Sequence, residues 1–250
     1  MSDATAASPV PALEGLIAEE VIDEVVRVLG IGKEATVYLV RKAGRPSTLY
    51  AAKVYRDTLH RSFRNDDPYR EGRTIGDSRI RRAVANRSRL GRQVAFRLWV
   101  EREAEVLRHL RAAGADVPEL VEAAGNALLM EYFGTARHAA PMLKDVRLRP
   151  DEAEALFRRL VENLRIFTAE GIVHADLSPY NILYHAGDLR IIDFPQAVDT
   201  RAHSGAVRLL IRDIANVCGY FARQGVRCSP EQVLDELSDL LPPPALWGIS

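Results

Sequence analysis

The fold is decided by the stretch Ile172-Val-His-Ala-Asp-Leu-Ser-Pro-Tyr-Asn-Ile-Leu183. Its apolar ends predict two short buried strands, and the polar residues between them predict an exposed turn. The turn carries Asp176 and, five residues later, Asn181. Phosphoryl transfer needs a carboxylate that accepts the proton of the attacking hydroxyl and an amide oxygen that holds a metal ion on the phosphates. The stretch therefore predicts Asp176 as a catalytic residue and Asn181 as a metal ligand.

A second carboxylate follows in Ile191-Ile-Asp193, at the end of the next predicted strand. Two carboxylates and an amide make an all-oxygen site, which suits Mg²⁺ better than zinc or iron, with Mn²⁺ as the alternative metal. Taken singly, Asp176 and Asn181 are also ordinary turn formers, and His174 is an ordinary core histidine. In this order and spacing they favour a phosphotransfer site, and they resemble the catalytic loop and metal-binding aspartate of protein kinases.

Composition excludes several classes of protein. The chain has 250 residues, of which 47% are apolar and 27% charged, enough for a sizeable core in one bilobal domain or two small ones. Its formal net charge is zero, which argues against a general nucleic-acid or membrane-surface binder. Two cysteines lack metal-ligand spacing, no secretory signal precedes the first helix, and no apolar run reaches the roughly 20 residues that span a bilayer. These observations predict a cytoplasmic protein without membrane contact.

The first part of the chain is predicted to build a phosphate-binding hairpin. Residues 1–12 lack periodicity and are predicted as a disordered tail, and apolar spacing predicts a helix from Leu13 to Arg27. Two strand-like segments then flank Gly30 and Gly32. A glycine turn lets backbone N–H groups approach phosphate oxygens, and Lys33 would add a positive charge. A plain tight turn between two strands is the alternative for this segment.

A lysine and a glutamate form the next predicted pair. Lys53 lies in the middle of an apolar strand, where an unpaired charge would be unfavourable. In the protein-kinase plan, a lysine at this place contacts the α and β phosphates of ATP and pairs with a glutamate on the following helix. That helix is predicted from Phe96 to Arg111. Glu103 is the predicted partner because its spacing puts it on the core-facing side, whereas Glu101 and Glu105 face solvent.

An arginine-rich insertion separates the lysine strand from this helix. Residues 56–97 hold 12 arginines and no lysine, against five acidic residues, which gives the segment a net charge of about +7. Glycines and weak periodicity predict a mobile loop with a short helix near residues 77–85. Its arginines would contact RNA phosphates, a ribosomal particle or an acidic partner. A solvated loop that compensates its own charge is the alternative.

The middle of the chain is predicted to form a strand pair at residues 119–121 and 127–133. In a protein kinase, Met130 would stand beside the adenine pocket, and Glu131 and Phe133 would belong to the hinge whose backbone bonds the adenine edge. A simple edge strand is the alternative. Three later helices are predicted at residues 150–171, 204–224 and 230–241.

Several segments together resemble the RIO family of atypical kinases, and within it the type-1 branch most closely. They are G-I-G-K-E-A-T-V-Y at 30–38, A-A-K-V-Y at 51–55, the arginine-rich insertion, L-W-V-E-R-E at 98–103, H-A-D-L-S-P-Y-N-I-L-Y-H at 174–185 and I-I-D-F-P-Q-A-V at 191–198. The G-K-E-A turn, H-A-D-L-S and I-I-D-x-x-Q are more specific than the general kinase pattern. The resemblance covers residues 13–241, and the Ala- and Arg-rich composition is typical of a bacterial member.

The resemblance assigns a role to each motif residue. By it, Lys33 and Glu34 contribute to the phosphate turn, Lys53 is the ATP lysine, Asp176 is the catalytic aspartate, and Asn181 and Asp193 are the metal ligands.

The implied fold class is α+β, a two-lobed protein-kinase-like fold with a truncated C-terminal lobe. Residues 13–134 would form the N-lobe with an antiparallel sheet, residues 135–241 a mostly helical C-lobe, and residues 242–250 a tail. About 57 residues follow Asp193, with neither D-F-G nor A-P-E, so the peptide-docking half of the large lobe is expected to be absent. Phe194-Pro195 departs from the smaller residues usual in the type-1 branch, and the lack of a preceding winged-helix domain argues against the type-2 branch.

The implied activity is transfer of the γ-phosphoryl group of Mg-ATP to serine, including autophosphorylation, by a protein kinase that also hydrolyses ATP. Eukaryotic and archaeal relatives act in small-ribosomal-subunit maturation, and slow hydrolysis is thought to act as a switch, so an ATP-driven switch in ribosome or ribonucleoprotein assembly is also implied. Two alternatives stay open. A small-molecule kinase of the aminoglycoside or choline phosphotransferase type shares H-x-D-x-x-x-x-N and I-I-D but normally lacks G-K-E-A. The other alternative is a nucleotide-gated binding module. It would explain why the chain lacks a recognisable docking surface for a protein substrate.

Overall fold

The computed structural model describes residues 11–56, 89–241 and 243. The predicted short helix at residues 77–85, most of the arginine-rich insertion and nearly all residues of the two predicted tails lie outside this description. The chain divides into two compact units. The first holds the described residues 11–56, 89–105 and 118–139, and the second holds residues 106–117 and 140–241.

The first unit is built on a five-stranded antiparallel sheet with the strand order β1-β2-β3-β5-β4. The strands are β1 (Ile22–Ile31), β2 (Ala35–Lys42), β3 (Leu49–Tyr55), β4 (Leu120–Ala124) and β5 (Ala127–Glu131). Helix α1 (Pro11–Ala18) packs on the sheet through Leu13 and Leu16, which are fully buried with Val40, Ala52 and Leu129. The predicted antiparallel N-lobe sheet is therefore present.

The predicted helix from Leu13 to Arg27 is wrong in its second half. Helix α1 ends at Ala18, Glu20 reverses the chain with a φ of 56°, and β1 begins at Ile22. Three register shifts between β1 and β2 displace the apolar residues of β1 from a strict alternation, so their spacing imitates a helix. The β-branched valines of this segment favour the strand, and pairing with β2 stabilises it.

Helix α2 (Arg89–Ala112) begins seven residues before the predicted start at Phe96. The predicted loop at residues 56–97 is therefore wrong at its C-terminal end, where residues 89–97 are helical. The first part of the helix was missed because its arginines favour a helix by their intrinsic propensity but contribute nothing to the apolar periodicity on which the prediction depends.

The second unit is mostly helical. Its long helices are α3 (Pro150–Ala169) and α4 (Ala206–Arg223), and a shorter helix, α5 (Pro230–Glu236), follows. Pro150 occupies the first turn of α3, and the carboxylate of Glu152 accepts a hydrogen bond of 3.1 Å from the backbone N–H of Arg149, which stabilises the helix start. The predicted last helix at residues 230–241 is shorter than expected, since a 3₁₀ turn at Ser238–Leu240 replaces its end.

Two small antiparallel sheets complete the second unit. Strand β6 (Ile172–Val173) pairs with β9 (Val198–Asp199), and β7 (Ile182–His185) pairs with β8 (Asp188–Ile191). The stretch that decides the fold thus connects β6 to β7, as its apolar ends predict. The described residues therefore form an α+β protein, with the antiparallel sheet and the mostly helical part that the sequence predicts.

Within the described parts of the chain, no helix is long and apolar enough to cross a membrane.

Candidate active site

The hairpin of β7 and β8 brings two of the predicted site residues together. Ile182 pairs with Ile191, and the backbone N–H of Ile192 donates to the carbonyl oxygen of Asn181 at 2.9 Å. Asn181 directly precedes β7, and Asp193 follows β8 by two residues. The predicted metal ligands therefore lie at the same end of one hairpin.

Asn181 is also bound to the predicted catalytic turn, which is the segment at residues 174–181 between β6 and β7. Its side-chain Nδ2 donates to the backbone oxygen of Asp176 at 2.9 Å and lies 3.4 Å from Oδ2 of the same residue. These bonds use the amide nitrogen and leave Oδ1 as the atom with which Asn181 can bind a cation. The Asp176 side chain is exposed, so it is accessible for the predicted catalytic role.

Helix α4 holds the backbone on both sides of Asp176. The carboxylate of Asp213 accepts the N–H of Ala175 at 2.7 Å through Oδ2 and the N–H of Leu177 at 3.0 Å through Oδ1. Asn216 donates from Nδ2 to the carbonyl oxygen of Leu177 at 3.1 Å. These bonds fix the backbone on both sides of Asp176, and they hold Ala175 at a φ of 63°, in the left-handed region.

Arg212 adds a further bond to this arrangement, since its guanidinium donates to the carbonyl oxygen of Ala175. Sequence reasoning missed Arg212, Asp213 and Asn216. A signal was available for Asp213, because it lies between Leu210 and Val217 on the apolar side of α4, where a carboxylate needs partners.

Burial raises the pKa of the Asp213 carboxyl to about 7, although the two N–H groups and the nearby Arg212 guanidinium act in the opposite direction. When the Asp213 carboxyl is protonated, one of its two oxygens carries a hydrogen and no longer accepts well from the N–H of Ala175 or Leu177. We therefore expect ATP turnover by the wild-type protein to fall as the pH drops through about 7. A pH–rate profile checks this, and Asp213→Asn should lower turnover and remove this acidic limb; a flat wild-type profile between about pH 6 and 8 would contradict it.

The same carboxyl should affect stability in the opposite direction. Its folded pKa lies above 3.8, the ordinary value for an aspartate, so its contribution to the free energy of unfolding is complete below about pH 4 and is lost as the pH rises through about 7. Urea unfolding across this range measures the trend, and Asp213→Asn should flatten it.

His174 fixes the backbone just before the second predicted metal ligand. It is 1% exposed, and its Nε2 lies 3.0 Å from the carbonyl oxygen of Ile192. Burial lowers the pKa of His174, although the hydrogen bond to Ile192 and the charges of Asp193 and Asp176 act in the opposite direction. The ring is therefore neutral, and its Nε2–H donates to the carbonyl oxygen of Ile192. Nδ1 has no hydrogen-bond partner in the described part of the chain.

Phe194 is larger than the residue expected at this position from the RIO resemblance, and the structure shows where its side chain packs. Phe194 is fully buried, with its ring centroid 4.6 Å from that of His174 and 5.6 Å from that of Phe167. Asp193 itself has a φ of 72°, in the left-handed region. The large aromatic side chain therefore anchors the backbone next to a strained aspartate, and such strain is common at functional sites.

The predicted lysine–glutamate pair is present in the first unit. Lys53 Nζ lies 2.8 Å from Oε1 of Glu103, and the two residues are 9% and 1% exposed. The ammonium also lies 4.9 Å from the ring centroid of Tyr55. Glu101 and Glu105 are exposed, as the helical spacing predicts.

The predicted phosphate turn is a tight connection between β1 and β2. Gly32 donates its backbone N–H to the carbonyl oxygen of Ala35 at 2.8 Å, and a Cβ at Gly32 would lie 3.2 Å from the same oxygen. The N–H of Gly32 is thus used within the turn, whereas Gly30 lies in β1 opposite Val37. The backbone oxygen of Glu34 accepts the N–H of Arg56 at 2.9 Å, which joins the turn to the end of β3.

The predicted adenine-binding residues lie at the end of β5. Met130 pairs with Ala51 of β3, and Glu131 donates its N–H to the oxygen of Glu119 at 2.8 Å. Phe133 follows the strand and is half-buried. Their role toward adenine stays a prediction.

The donor set of the second unit fits magnesium. Across residues 11–56 and 89–241, no three His, Cys, Asp or Glu side chains cluster into a self-contained metal site. Mg²⁺ is usually held by one or two carboxylates, with phosphate and water oxygens as its other ligands. Asp193 and Asn181 would supply the protein part of such a shell, and Mn²⁺ accepts the same ligands.

The site residues fall into two groups. Asp176, Asn181 and Asp193 are brought together in the second unit, and Lys53, Glu103 and the glycine turn belong to the first.

A family model described as the RIO domain matches residues 36–233 of the chain. A serine/threonine-protein kinase rio1 of Schizosaccharomyces pombe is 34% identical over 215 residues, which cover 85% of this chain and 41% of that protein. A RIO-type serine/threonine-protein kinase Rio1 of Haloferax volcanii is 33% identical over 214 residues, covering 86% and 69%. Human serine/threonine-protein kinase RIO3 is 34% identical over 178 residues, covering 71% and 33%. The chain spans about two-fifths of the length of the fission-yeast relative.

A solved structure is also similar. The crystal structure of a Rio2 kinase–ADP/Mg²⁺–phosphoaspartate complex from Chaetomium thermophilum superposes with a TM-score of 0.67 at 25% identity, covering 92% of this chain and 65% of that one.

Proposed function

This chain belongs to the RIO family, and we propose that it is a Mg-ATP-dependent atypical serine kinase and ATPase that transfers the γ-phosphoryl group to serine, including serines of its own chain. The observation that carries the proposal is the catalytic turn, in which α4 holds both amides beside an exposed Asp176. The relatives' names as serine/threonine-protein kinases support it.

Asp176 is the residue that we propose to orient the attacking hydroxyl and accept its proton. Its carboxylate is close to Asn181, and the Asn181 amide keeps the turn closed by bonding the Asp176 backbone. Because neighbouring backbone groups are fixed by Asp213 and Asn216, the carboxylate needs little reorganisation when a hydroxyl arrives.

Asn181 and Asp193 are the proposed metal ligands. These two residues would hold Mg²⁺, which would supply the positive charge that phosphoryl transfer needs beside the phosphate oxygens. The protein's part is to hold Oδ1 of Asn181 and the carboxylate of Asp193 at one end of the β7–β8 hairpin. Mn²⁺ is the proposed alternative metal.

Lys53 is proposed to bind the α and β phosphates of ATP. Glu103 keeps the ammonium in place through the 2.8 Å contact, so the lysine is ordered before a nucleotide binds. The turn of Gly30, Gly32, Lys33 and Glu34 would cover the phosphates. Met130, Glu131 and Phe133 would contact the adenine.

The acceptor of the phosphoryl group need not be a serine in every turnover. The similar Rio2 structure is a complex that contains a phosphoaspartate together with ADP and Mg²⁺. We propose that in this chain water, or Asp193 itself, also receives the phosphoryl group, which would make slow hydrolysis available as a conformational switch in ribosome or ribonucleoprotein assembly.

The proposed partner of the arginine-rich insertion is RNA within such a particle. The segment at residues 56–97 has a net charge of about +7, while the whole chain is neutral, so this charge is concentrated in one place. Neutralising phosphates with arginine makes binding fall steeply with salt. Filter binding of total RNA at rising salt checks the proposal, and binding that does not depend on salt would contradict it.

A cytoplasmic location is proposed, since Cys218 and Cys228 are free thiols.

Incubation with γ-labelled ATP tests the proposed function. The protein is incubated alone and with a panel of amino-alcohols and aminoglycosides, and label is followed into protein, inorganic phosphate and small molecules. We expect label in protein and in phosphate. Label that enters only the small molecules would instead identify a small-molecule kinase, and an absence of turnover with retained ATP binding would identify a nucleotide-gated binding module.

A further inference from the structure

We infer that Arg159 is a positioning residue for the metal-binding Asp193, because its single guanidinium fixes both ends of β8, the strand that ends two residues before Asp193. The inference rests on the proposed function, since it concerns how the proposed metal ligand is held. Arg159 lies on α3, and its guanidinium acts through Asp116 and Asp188 rather than on a metal ligand directly.

One end of the connection is a bidentate pair with Asp116. Arg159 Nε donates to Oδ2 of Asp116 at 2.7 Å, and Nη2 donates to Oδ1 at 2.6 Å. The Asp116 side chain is 18% exposed, so solvent screens the pair only in part. Bidentate arginine–carboxylate pairs fix direction as well as distance, and Asp116 is therefore held in one orientation.

Because Asp116 is fixed in this way, its backbone also fixes the C-terminal end of β8. Its carbonyl oxygen accepts the backbone N–H of Ile191, the last residue of the strand, at 2.8 Å. The N-terminal end is held directly, because Nη1 of Arg159 donates at 2.6 Å to the carboxylate of Asp188, the first residue of β8. Arg159 is therefore linked to both ends of the strand, directly at Asp188 and through Asp116 at Ile191.

Asn163 completes the arrangement around Asp116. It lies one helical turn after Arg159 and is 2% exposed. Its Oδ1 accepts the backbone N–H of Asp116 at 2.7 Å, and its Nδ2 donates to the Asp116 carboxylate at 2.8 Å and to the carbonyl oxygen of Arg159 at 2.9 Å. Burial raises the pKa of Asp116, but the hydrogen bonds from Arg159 and Asn163 outweigh burial and lower it, so the group is a carboxylate.

Only Ile192 separates β8 from Asp193. Its N–H donates to the oxygen of Asn181 at 2.9 Å, and its carbonyl oxygen contacts His174 at 3.0 Å. A displacement of β8 would therefore move both proposed metal ligands, Asn181 and Asp193. Mg²⁺ demands near-ideal octahedral geometry at about 2.0–2.1 Å, so small displacements weaken its binding.

Metal binding to the nucleotide complex tests the inference. Free Mn²⁺ is followed by electron paramagnetic resonance in the presence of saturating ADP for the wild-type protein, Arg159→Gln, Arg159→Lys and the control Arg158→Gln. Arg158 is the preceding residue of the same helix, its side chain is 71% exposed, and it contacts Glu154 at 3.9 Å. We expect Arg159→Gln to raise the apparent dissociation constant of Mn²⁺ by roughly 5-fold or more, somewhat less than the roughly 10-fold or more typical of residues that hydrogen-bond a metal ligand directly.

Arg159→Lys keeps the charge but loses the bidentate geometry, so its effect should fall between those of wild type and Arg159→Gln. Arg158→Gln should stay within about twofold of wild type, and ADP affinity without metal should be unchanged in all variants. Melting temperatures are recorded in parallel, and binding is measured well below the lowest of them. A lower melting temperature with an unchanged Mn²⁺ affinity would show a purely structural role and overturn the inference.

Asp188→Asn provides a second test if Arg159→Gln does not fold. This variant weakens only the bond between Arg159 and Asp188 and leaves the pair of Arg159 with Asp116 intact. A several-fold loss of Mn²⁺ affinity is expected, and wild-type affinity would overturn the inference. Failure of the wild-type protein to bind Mn²⁺ with ADP would instead refute the proposed function, so the two failures are distinguishable.

Discussion

Replacing Asp176 with alanine is expected to lower ATP turnover by roughly 10²- to 10⁴-fold while leaving ATP affinity nearly unchanged, because the variant loses the base but none of the proposed phosphate contacts. The turn should keep its conformation, since α4 binds the backbone of Ala175 and Leu177 rather than the Asp176 side chain. Steady-state ADP release measures the rate, and calorimetric titration with a non-hydrolysable ATP analogue measures the affinity.

The matched control for this prediction is Asp145→Ala. Asp145 is an exposed carboxylate in the same unit, paired with Lys144 at 2.6 Å, and it has no role in the proposed chemistry. Its rate should stay within about twofold of wild type. An unchanged rate in Asp176→Ala would reduce Asp176 to a turn residue and refute the proposed catalytic role.

Glu103→Ala is expected to produce the largest loss of stability. Removing one partner of a buried ion pair while the other stays buried costs about 3–5 kcal/mol. Lys53 would be left 9% exposed without the carboxylate that lies 2.8 Å away. Urea unfolding near neutral pH should show a fall in the free energy of unfolding of this size, and ATP affinity should fall as the lysine loses its fixed position.

Glu101 and Glu105 supply the controls for the glutamate prediction, because both lie on the same helix and both are exposed. Their alanine variants should change the free energy of unfolding by about 0.5 kcal/mol or less. Equal losses in all three variants would mean that the effect comes from the general loss of negative charge on this helix rather than from the pair with Lys53.

The positions of the motif residues in the fold could be predicted from the sequence, because the local apolar pattern specifies the elements that carry them. Asp176 and Asn181 lie between two short apolar segments, and those segments form β6 and β7. Glu103 could be distinguished from Glu101 and Glu105 because one helical face is buried, and burial of a glutamate requires a cation. The pairing of β7 with β8 then follows from the short connection between them.

The partners of residues that bond over a long distance in sequence could not be predicted, although the position of Asp213 on the apolar side of α4 indicated that it needs partners. Asp213 is 38 residues from Ala175 in sequence, and Asp116 is 43 residues from Arg159. Their contacts depend on how whole helices pack, which no local pattern specifies. The wrong helix assignment before β1 has a different cause, since bulges in that strand give its valines a helical spacing.

Metal-dependent ADP formation tests whether this chain transfers phosphoryl groups through a metal ion held by Asp193. The rate is measured for the wild-type protein and for Asp193→Asn, with Mg²⁺ and with excess chelator. The account predicts slow but measurable ADP formation by the wild-type protein with Mg²⁺, and at least a roughly 10²-fold lower rate with chelator or in Asp193→Asn. ADP formation at the same rate with chelator, or in Asp193→Asn with Mg²⁺, would contradict the claim that this chain transfers phosphoryl groups through a metal held by Asp193.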